Sequence, residues 1–143
     1  MNKYLVSQSY TATKEELEEL SKDEDGTIRC NVAENENTPK EILDLLSKDK
    51  SNYVRSYVAS NYNAPAEILE ALSKDDYYFV RLGVAQNYNT PAKALQIFFN
   101  NGEFRDYIAR HPNTPLDILI KLNDSEFSHY AKENRIKRMK LLK

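Results

Sequence analysis

The 143-residue chain has no tryptophan, three glycines and a single cysteine, Cys30. One cysteine makes neither an intramolecular disulfide nor a cluster of thiolate ligands, so a reducing compartment is favoured and a structural zinc is not. No apolar run approaches the roughly 18 to 20 residues that span a bilayer, and the opening MNKYLVSQSYTATKEELEEL has neither an apolar h-region nor a small-residue cleavage site. The expectation is a cytoplasmic protein without membrane contact. Catalytic signatures are equally scarce. There is no GxSxG and no Gly-rich phosphate loop, and the histidines His111 and His129 have no repeated acidic partner. Asp23-Glu24-Asp25-Gly26 resembles a fragment of a calcium loop, but the distal glutamate is missing and the stretch reads as a solvated turn. An enzyme is not expected, nor a cofactor or a metal. The net charge of −2 argues against a protein built for nucleic acid.

What is abundant is self-similarity. Leu46 to Ala71, LSKDKSNYVRSYVASNYNAPAEILEA, recurs on both sides of itself. Placing Leu20, Leu46 and Leu72 in register, 26 residues apart, aligns Arg29 with Arg55 and Arg81, Val32 with Val58 and Val84, and Pro39 with Pro65 and Pro91. The chain reads as one helical-repeat domain over 1–143. A half unit covers 11–20, followed by units at about 20–45, 46–71, 72–97 and 98–121, and a degraded unit with a basic terminal helix over 122–143. Met1 to Tyr10 match no part of the repeat, which leaves the helix at Thr13 to Leu20 without an upstream partner.

Each unit carries two short helical patterns. In one, Asn37-Thr38-Pro39-Lys40-Glu41 places threonine at the N-cap, proline at the first helical position and glutamate at the third, a capping box. Asp117 after Thr114-Pro115 is a shorter version, whereas Ala64 and Lys93 weaken the device. Ile42, Leu43 and Leu46, and their counterparts Ile68, Leu69 and Leu72, form the buried stripe. In the other pattern, Val54-Arg55-Ser56-Tyr57-Val58-Ala59 sets apolar residues at i and i+4 before an alanine, where two helices approach closely. Helices this short are marginal alone, so each depends on stacking against its neighbours. The fourth unit is two residues shorter, with the deletion near Asn100-Asn101-Gly102, between helices. A fifth begins at Glu126-Phe127 and then loses the pattern.

The motif V-R-x-x-V-A-x-N-x-N-T-P-x-E-I-L-x-x-L around Ile28 to Leu46 and Val54 to Leu72 resembles the leucine-rich repeat variant family, over roughly Thr11 to Asn134. The resemblance implies an all-α, right-handed α-solenoid of paired short helices, related in form to HEAT and armadillo arrays and used mainly for binding macromolecules. Some relatives carry a cysteine-rich iron–sulfur segment, and Cys30 alone cannot supply one. The 26-residue period is slightly longer than the family's usual spacing, which leaves open a 3₁₀ or irregular form for one helix of each pair.

Repeated polar columns invite a functional reading and a structural one. Arg29, Arg55, Arg81 and Arg105 have the chemistry to grip phosphates. The first three each follow an aspartate by six residues, Asp23, Asp49 and Asp75, and ion pairs within or between units are the favoured reading. Asn35, Asn61 and Asn87, with His111 in fourth place, are expected to terminate helices and satisfy the turns. A repeat protein places recognition on the columns that vary. Those columns read Thr27, Tyr53, Phe79, Glu103; then Cys30, Ser56, Leu82, Asp106; then Asn31, Tyr57, Gly83, Tyr107. Tyr53, Tyr57, Tyr78, Phe79 and Leu82 form a candidate aromatic patch for a protein partner. Tyr62 and Tyr88 add a pair at the interhelical turn, with packing between units as the competing role. The segment Tyr130 to Lys143 carries six basic residues against Glu133, a local +5, while Lys14 to Asp25 carries −5. Through Arg135, Lys137, Arg138 and Lys140 the basic end is the alternative site, for nucleic acid; capping the array or meeting another copy's acidic start remain open roles for it.

Overall fold

The computed structural model describes residues 2–122 and 128–142. Among them are eleven helices and no strand: α1 (Lys3–Ser7), α2 (Lys14–Leu20), α3 (Gly26–Glu34), α4 (Lys40–Leu46), α5 (Asn52–Ser60), α6 (Ala66–Leu72), α7 (Tyr78–Gln86), α8 (Ala92–Asn101), α9 (Arg105–Arg110), α10 (Leu116–Lys121) and α11 (Ser128–Leu141). The all-α helical-repeat class expected from the sequence is the one observed. The chain forms two compact units, Met1–Asn89 and Thr90–Lys143.

In the first unit α3 packs on α1, α5 on α3 and α7 on α5, with α2, α4 and α6 between them. Both members of each pair are α-helical here, so the 3₁₀ alternative does not apply. The stripes fall inside as expected. Ile42, Leu43, Leu46, Ile68, Leu69 and Leu72 are buried, as are Val54, Val58, Ala59, Val80, Val84 and Ala85. Each large aliphatic side chain so buried contributes about 1.5–3 kcal/mol, which stabilises seven- to nine-residue helices that are marginal in isolation.

The helix starts differ from the expected capping box. Pro39 and Pro65 are themselves the extended N-cap residues, and neither helix has a side-chain cap. Thr38 lies one residue too early and is buried, and its hydroxyl donates to the Val32 carbonyl at 2.6 Å, satisfying the end of the preceding helix. The reciprocal box occurs instead at α2, where threonine replaces proline. Glu16 N–H donates to the Thr13 hydroxyl at 3.2 Å and Thr13 N–H donates to the Glu16 carboxylate at 2.8 Å.

Two polar ladders fix the spacing of the pairs. The Arg29 guanidinium donates through Nε and Nη2 to both Asp49 oxygens at 2.8 and 3.1 Å, and its Nη1 donates to the Asp23 carbonyl at 2.8 Å. Arg55 repeats this with Asp75 at 2.7 and 3.0 Å and the Asp49 carbonyl at 2.8 Å. The ion pair therefore crosses to the next repeat, 20 residues on, while the aspartate six residues back contributes its backbone oxygen. Asparagine makes the second ladder. Asn61 Nδ2 donates to the Ala33 and Asn35 carbonyls of the preceding turn at 2.8 and 3.1 Å, and its Oδ1 accepts from Asn63 N–H at 2.8 Å. Asn87 does the same with Ala59, Asn61 and Asn89. These asparagines hold their own turn, as expected, and also tie it to the one before.

The ladders correct the reading of the N-terminus. Lys3 pairs with Asp23 at 2.7 Å over the same 20-residue interval as Arg29 and Asp49. Asn35 Nδ2 donates to the Ser7 and Ser9 carbonyls, both at 3.0 Å. Residues Lys3 to Thr13 are thus a further, diverged unit, and α2 has α1 as its upstream partner. Lysine stands for arginine, serine for asparagine and threonine for proline, which hides the match from simple alignment.

Gly83 marks a close approach of α5 and α7. A Cβ there would lie 3.0 Å from both Ala59 Cβ and Ser60 Oγ and 3.4 Å from the Ser56 carbonyl. Its position in a variable column reflects this contact between α5 and α7. Gly83→Val is expected to destabilise the protein by about 1–3 kcal/mol, read as a lower urea midpoint at unchanged slope. Unchanged stability would show that the two helices separate freely.

In the second unit α8 runs three residues longer than α6. Asn100 and Asn101 are therefore helical and not part of the connection. Gly102, at φ 74°, closes the helix in the left-handed conformation, with Glu103 N–H donating to the Phe98 carbonyl at 2.9 Å. Phe104 follows at φ 51°, its ring edge-on to buried Phe98 at 5.0 Å. This compact link absorbs the two-residue deletion. The expected start of a fifth unit at Glu126-Phe127 lies outside the described residues. Beyond it the pattern does not dissolve, because buried Asn134 donates to the Ala109 and His111 carbonyls at 3.2 and 2.8 Å, the asparagine rung again.

Candidate functional site

With the ladders setting their rotation, α3, α5 and α7 expose the varying column of Thr27, Tyr53 and Phe79, whereas Asn31 and Gly83 of another are buried. Tyr53 is 64% and Phe79 57% exposed. They belong to one aromatic cluster: the Tyr53 and Tyr77 rings lie 6.2 Å apart, Tyr77 and Phe79 5.6 Å, and Tyr78 and Phe79 5.5 Å. Tyr77 is half-buried at its centre. Burial, followed by the neighbouring Tyr53, pushes its phenol above the usual range. Sequence reasoning missed this ring because it occupies the N-cap column, where the earlier units have Asp25 and Ser51. An aromatic at a polar capping position was the available signal.

The remaining patch residues divide. Leu82 is half-buried one turn beyond Tyr78 on α7. Tyr57 lines a groove of about 560 Å³ with Tyr53, Tyr4 of α1 and Cys30. Burial pushes the Cys30 thiol up, away from reactive thiolate. Tyr57 also shares a hollow of about 310 Å³ with Tyr62, Glu34 and Glu36. Tyr62 and Tyr88 are exposed on successive turns. The aromatic side chains thus form a contact cluster on α5 and α7 and a lined groove running toward α1.

The guanidinium groups of Arg29 and Arg55 are taken up by the ladder, and Arg81 Nη1 donates to the Asp75 and Asp76 carbonyls at 2.9 and 3.2 Å. They hold turns, which is the structural reading of that column. Arg105 lies over the Phe99 ring at 5.6 Å.

No family model matches the chain, and a search of curated proteins finds no significant match. Among solved structures, it is similar to one described as a leucine-rich repeat variant with a novel repetitive protein structural motif, at 27% identity and a TM-score of 0.58 over 93% of this chain. The chain has the leucine-rich repeat variant fold. It spans 60% of the length of that solved chain.

The acidic turn Asp23-Glu24-Asp25-Gly26 serves the fold. Asp23 pairs with Lys3, and the Asp25 carboxylate caps α3 by accepting from Thr27 N–H at 2.8 Å. His111 is buried, and its Nδ1 accepts from Asn113 N–H at 3.1 Å, the acceptor role of the ladder asparagines. His129 is an exposed residue 3.7 Å from Glu133. Among the described residues no group of three or more His, Cys, Asp or Glu side chains is placed to hold a metal, and no helix is long and apolar enough to cross a membrane.

The basic candidates differ in burial along α11. Ala131 and Asn134 are buried, and Arg135 and Arg138 continue that inner side half-buried. Arg138 Nη1 donates to the Thr114 carbonyl. Lys137 and Lys140 are exposed, and Lys137 shares a cavity lining with Asn134 and Arg138. Lys137 borders a cavity of about 600 Å³ with Arg110, whose guanidinium lies 3.9 Å from the centre of the Tyr130 ring.

Proposed function

We propose that the chain is a non-enzymatic cytoplasmic module that binds another protein through the aromatic surface of α5 and α7. The observation that carries this reading is the contiguous cluster of Tyr53, Tyr77, Phe79 and Tyr78, largely exposed on helices whose inner faces are fixed by the repeat. Tyrosine offers large contact area with few rotatable bonds and a hydroxyl for the rim, and such rings dominate interface energetics. Exposed aromatics of this extent on a rigid array serve recognition better than stability, since none of the four is fully buried.

The test is Tyr53→Ala combined with Phe79→Ala. The double variant is expected to keep its helical circular dichroism and melting temperature while affinity for a partner captured by the unaltered protein falls by about 2 kcal/mol or more, some thirtyfold. Unchanged affinity in a folded variant refutes the assignment.

A further inference from the structure

The groove beside the aromatic cluster has a definite electrostatic character. Three hollows on the first unit, of about 320, 560 and 310 Å³, have Glu34 in common, and no lysine or arginine lines any of them. Five other carboxylates of this unit are ion-paired: Asp23 with Lys3, Asp49 with Arg29, Asp75 with Arg55, Glu18 with Lys22 and Asp44 with Lys48. Glu34 and Glu36 face the hollows exposed. Glu34 is moreover the last residue of α3. A carboxylate there meets the negative end of the helix dipole, an unfavourable arrangement that a bound cation would offset. The residues Met1 to Asn89 carry ten basic and sixteen acidic side chains, a formal charge of −6.

Resting on the protein-binding reading above, we propose that the partner presents a basic segment to this groove. A lysine or arginine side chain seats in the hollow formed by Glu34, Glu36, Tyr57 and Tyr62. The carboxylates supply charge-assisted hydrogen bonds and the ring faces supply cation–π attraction, so the same four residues reject acidic and neutral segments. Net negative charge around the hollow steers such a segment toward it and makes association salt-dependent.

The probe is a fluorescein-labelled nonapeptide of alternating glycine and arginine, compared by anisotropy with its citrulline counterpart, which keeps the shape and loses the charge. The arginine peptide is expected to bind at least about tenfold more tightly, with affinity falling as salt rises. Glu34→Gln combined with Glu36→Gln is expected to abolish that preference. Glu41→Gln combined with Glu67→Gln, which removes the same charge from exposed sites on α4 and α6, is expected to retain it. No binding at low salt, equal binding of the citrulline peptide, or equal loss in both glutamine variants overturns the proposal. So does self-association, seen by sedimentation, that the Glu34 and Glu36 changes remove, since it assigns the groove to a second copy. A partner whose binding needs Tyr53 and Phe79 but tolerates the Glu34 and Glu36 changes sinks this inference and leaves the protein-binding reading standing.

Discussion

Asn61→Asp is expected to lower the free energy of unfolding by about 4 kcal/mol at neutral pH, and Asn61→Ala by about 3. The Asn61 amide is buried and makes three bonds at once, donating to Ala33 and Asn35 and accepting from Asn63. Alanine leaves two carbonyls and one N–H without that partner, each costing about 1–3 kcal/mol less whatever water recovers. Aspartate keeps the acceptor for Asn63 but points a second oxygen, with charge, at the two carbonyls. The introduced carboxyl is disfavoured as an anion in the folded state, so its folded pKa lies above its unfolded one. Stability of this variant therefore recovers as pH falls through that raised value toward the unfolded value of about 4. Urea titrations followed by helical circular dichroism at several pH values check both effects. Equal losses for the two substitutions, with no pH dependence, contradict the bonding described.

Arg29→Met is the second large effect, at about 3 kcal/mol. The side chains of Arg29 and Asp49 are 8% and 10% exposed, so removing the guanidinium strands a buried carboxylate. Adding Asp49→Asn to Arg29→Met is expected to restore about 1–2 kcal/mol by removing that charge. It cannot restore the bond from Arg29 to the Asp23 carbonyl. Acid acts on the same pair. Burial alone would raise the Asp49 carboxyl, but the Arg29 hydrogen bonds and the Ser51 N–H override it and leave it below its usual range, as Arg55 and the Tyr77 N–H do for Asp75. With folded pKa values depressed, this stabilisation is complete above the unfolded value of about 4 and is lost as pH falls through the folded values. Asp49→Asn flattens that acid limb. A variant as acid-sensitive as the unaltered chain contradicts the role assigned to the pair.

Which parts of the molecule the sequence discloses follows from what repetition can encode. Val58, Ile68 and Leu69 recur because every unit buries the same positions, so period and core were readable from residue type. Arg29 and Asn61 were recognised as structural for the same reason. For the arginines the sequence leaves the pairing open between the same unit and the next, and Asp49 is the next-unit choice, whereas the bond from Asn61 to the Ala33 carbonyl crosses between units and leaves no local pattern. Lys3, Ser9 and Asn134 escaped because the terminal units keep the geometry with substituted or displaced side chains. The aromatic patch was half legible. Tyr53 and Phe79 share a column, whereas Tyr77, which joins them, occupies one that elsewhere serves capping. Thr38 misled for a related reason: its neighbours spell a capping box, and only the depth of the turn turns its hydroxyl toward Val32.

The asparagine rung also bears on how such a chain can grow. Each amide in the first unit reaches 26 and 28 residues back and leaves the carbonyls of its own turn for the next asparagine. Donor and receptor are therefore both contained in any 26-residue segment. A duplicated segment spliced in at that interval would arrive with its fastening and its socket already matched, whatever columns it displayed outward. Length and surface are thereby separable in inheritance: genetic duplication sets one and point substitution the other.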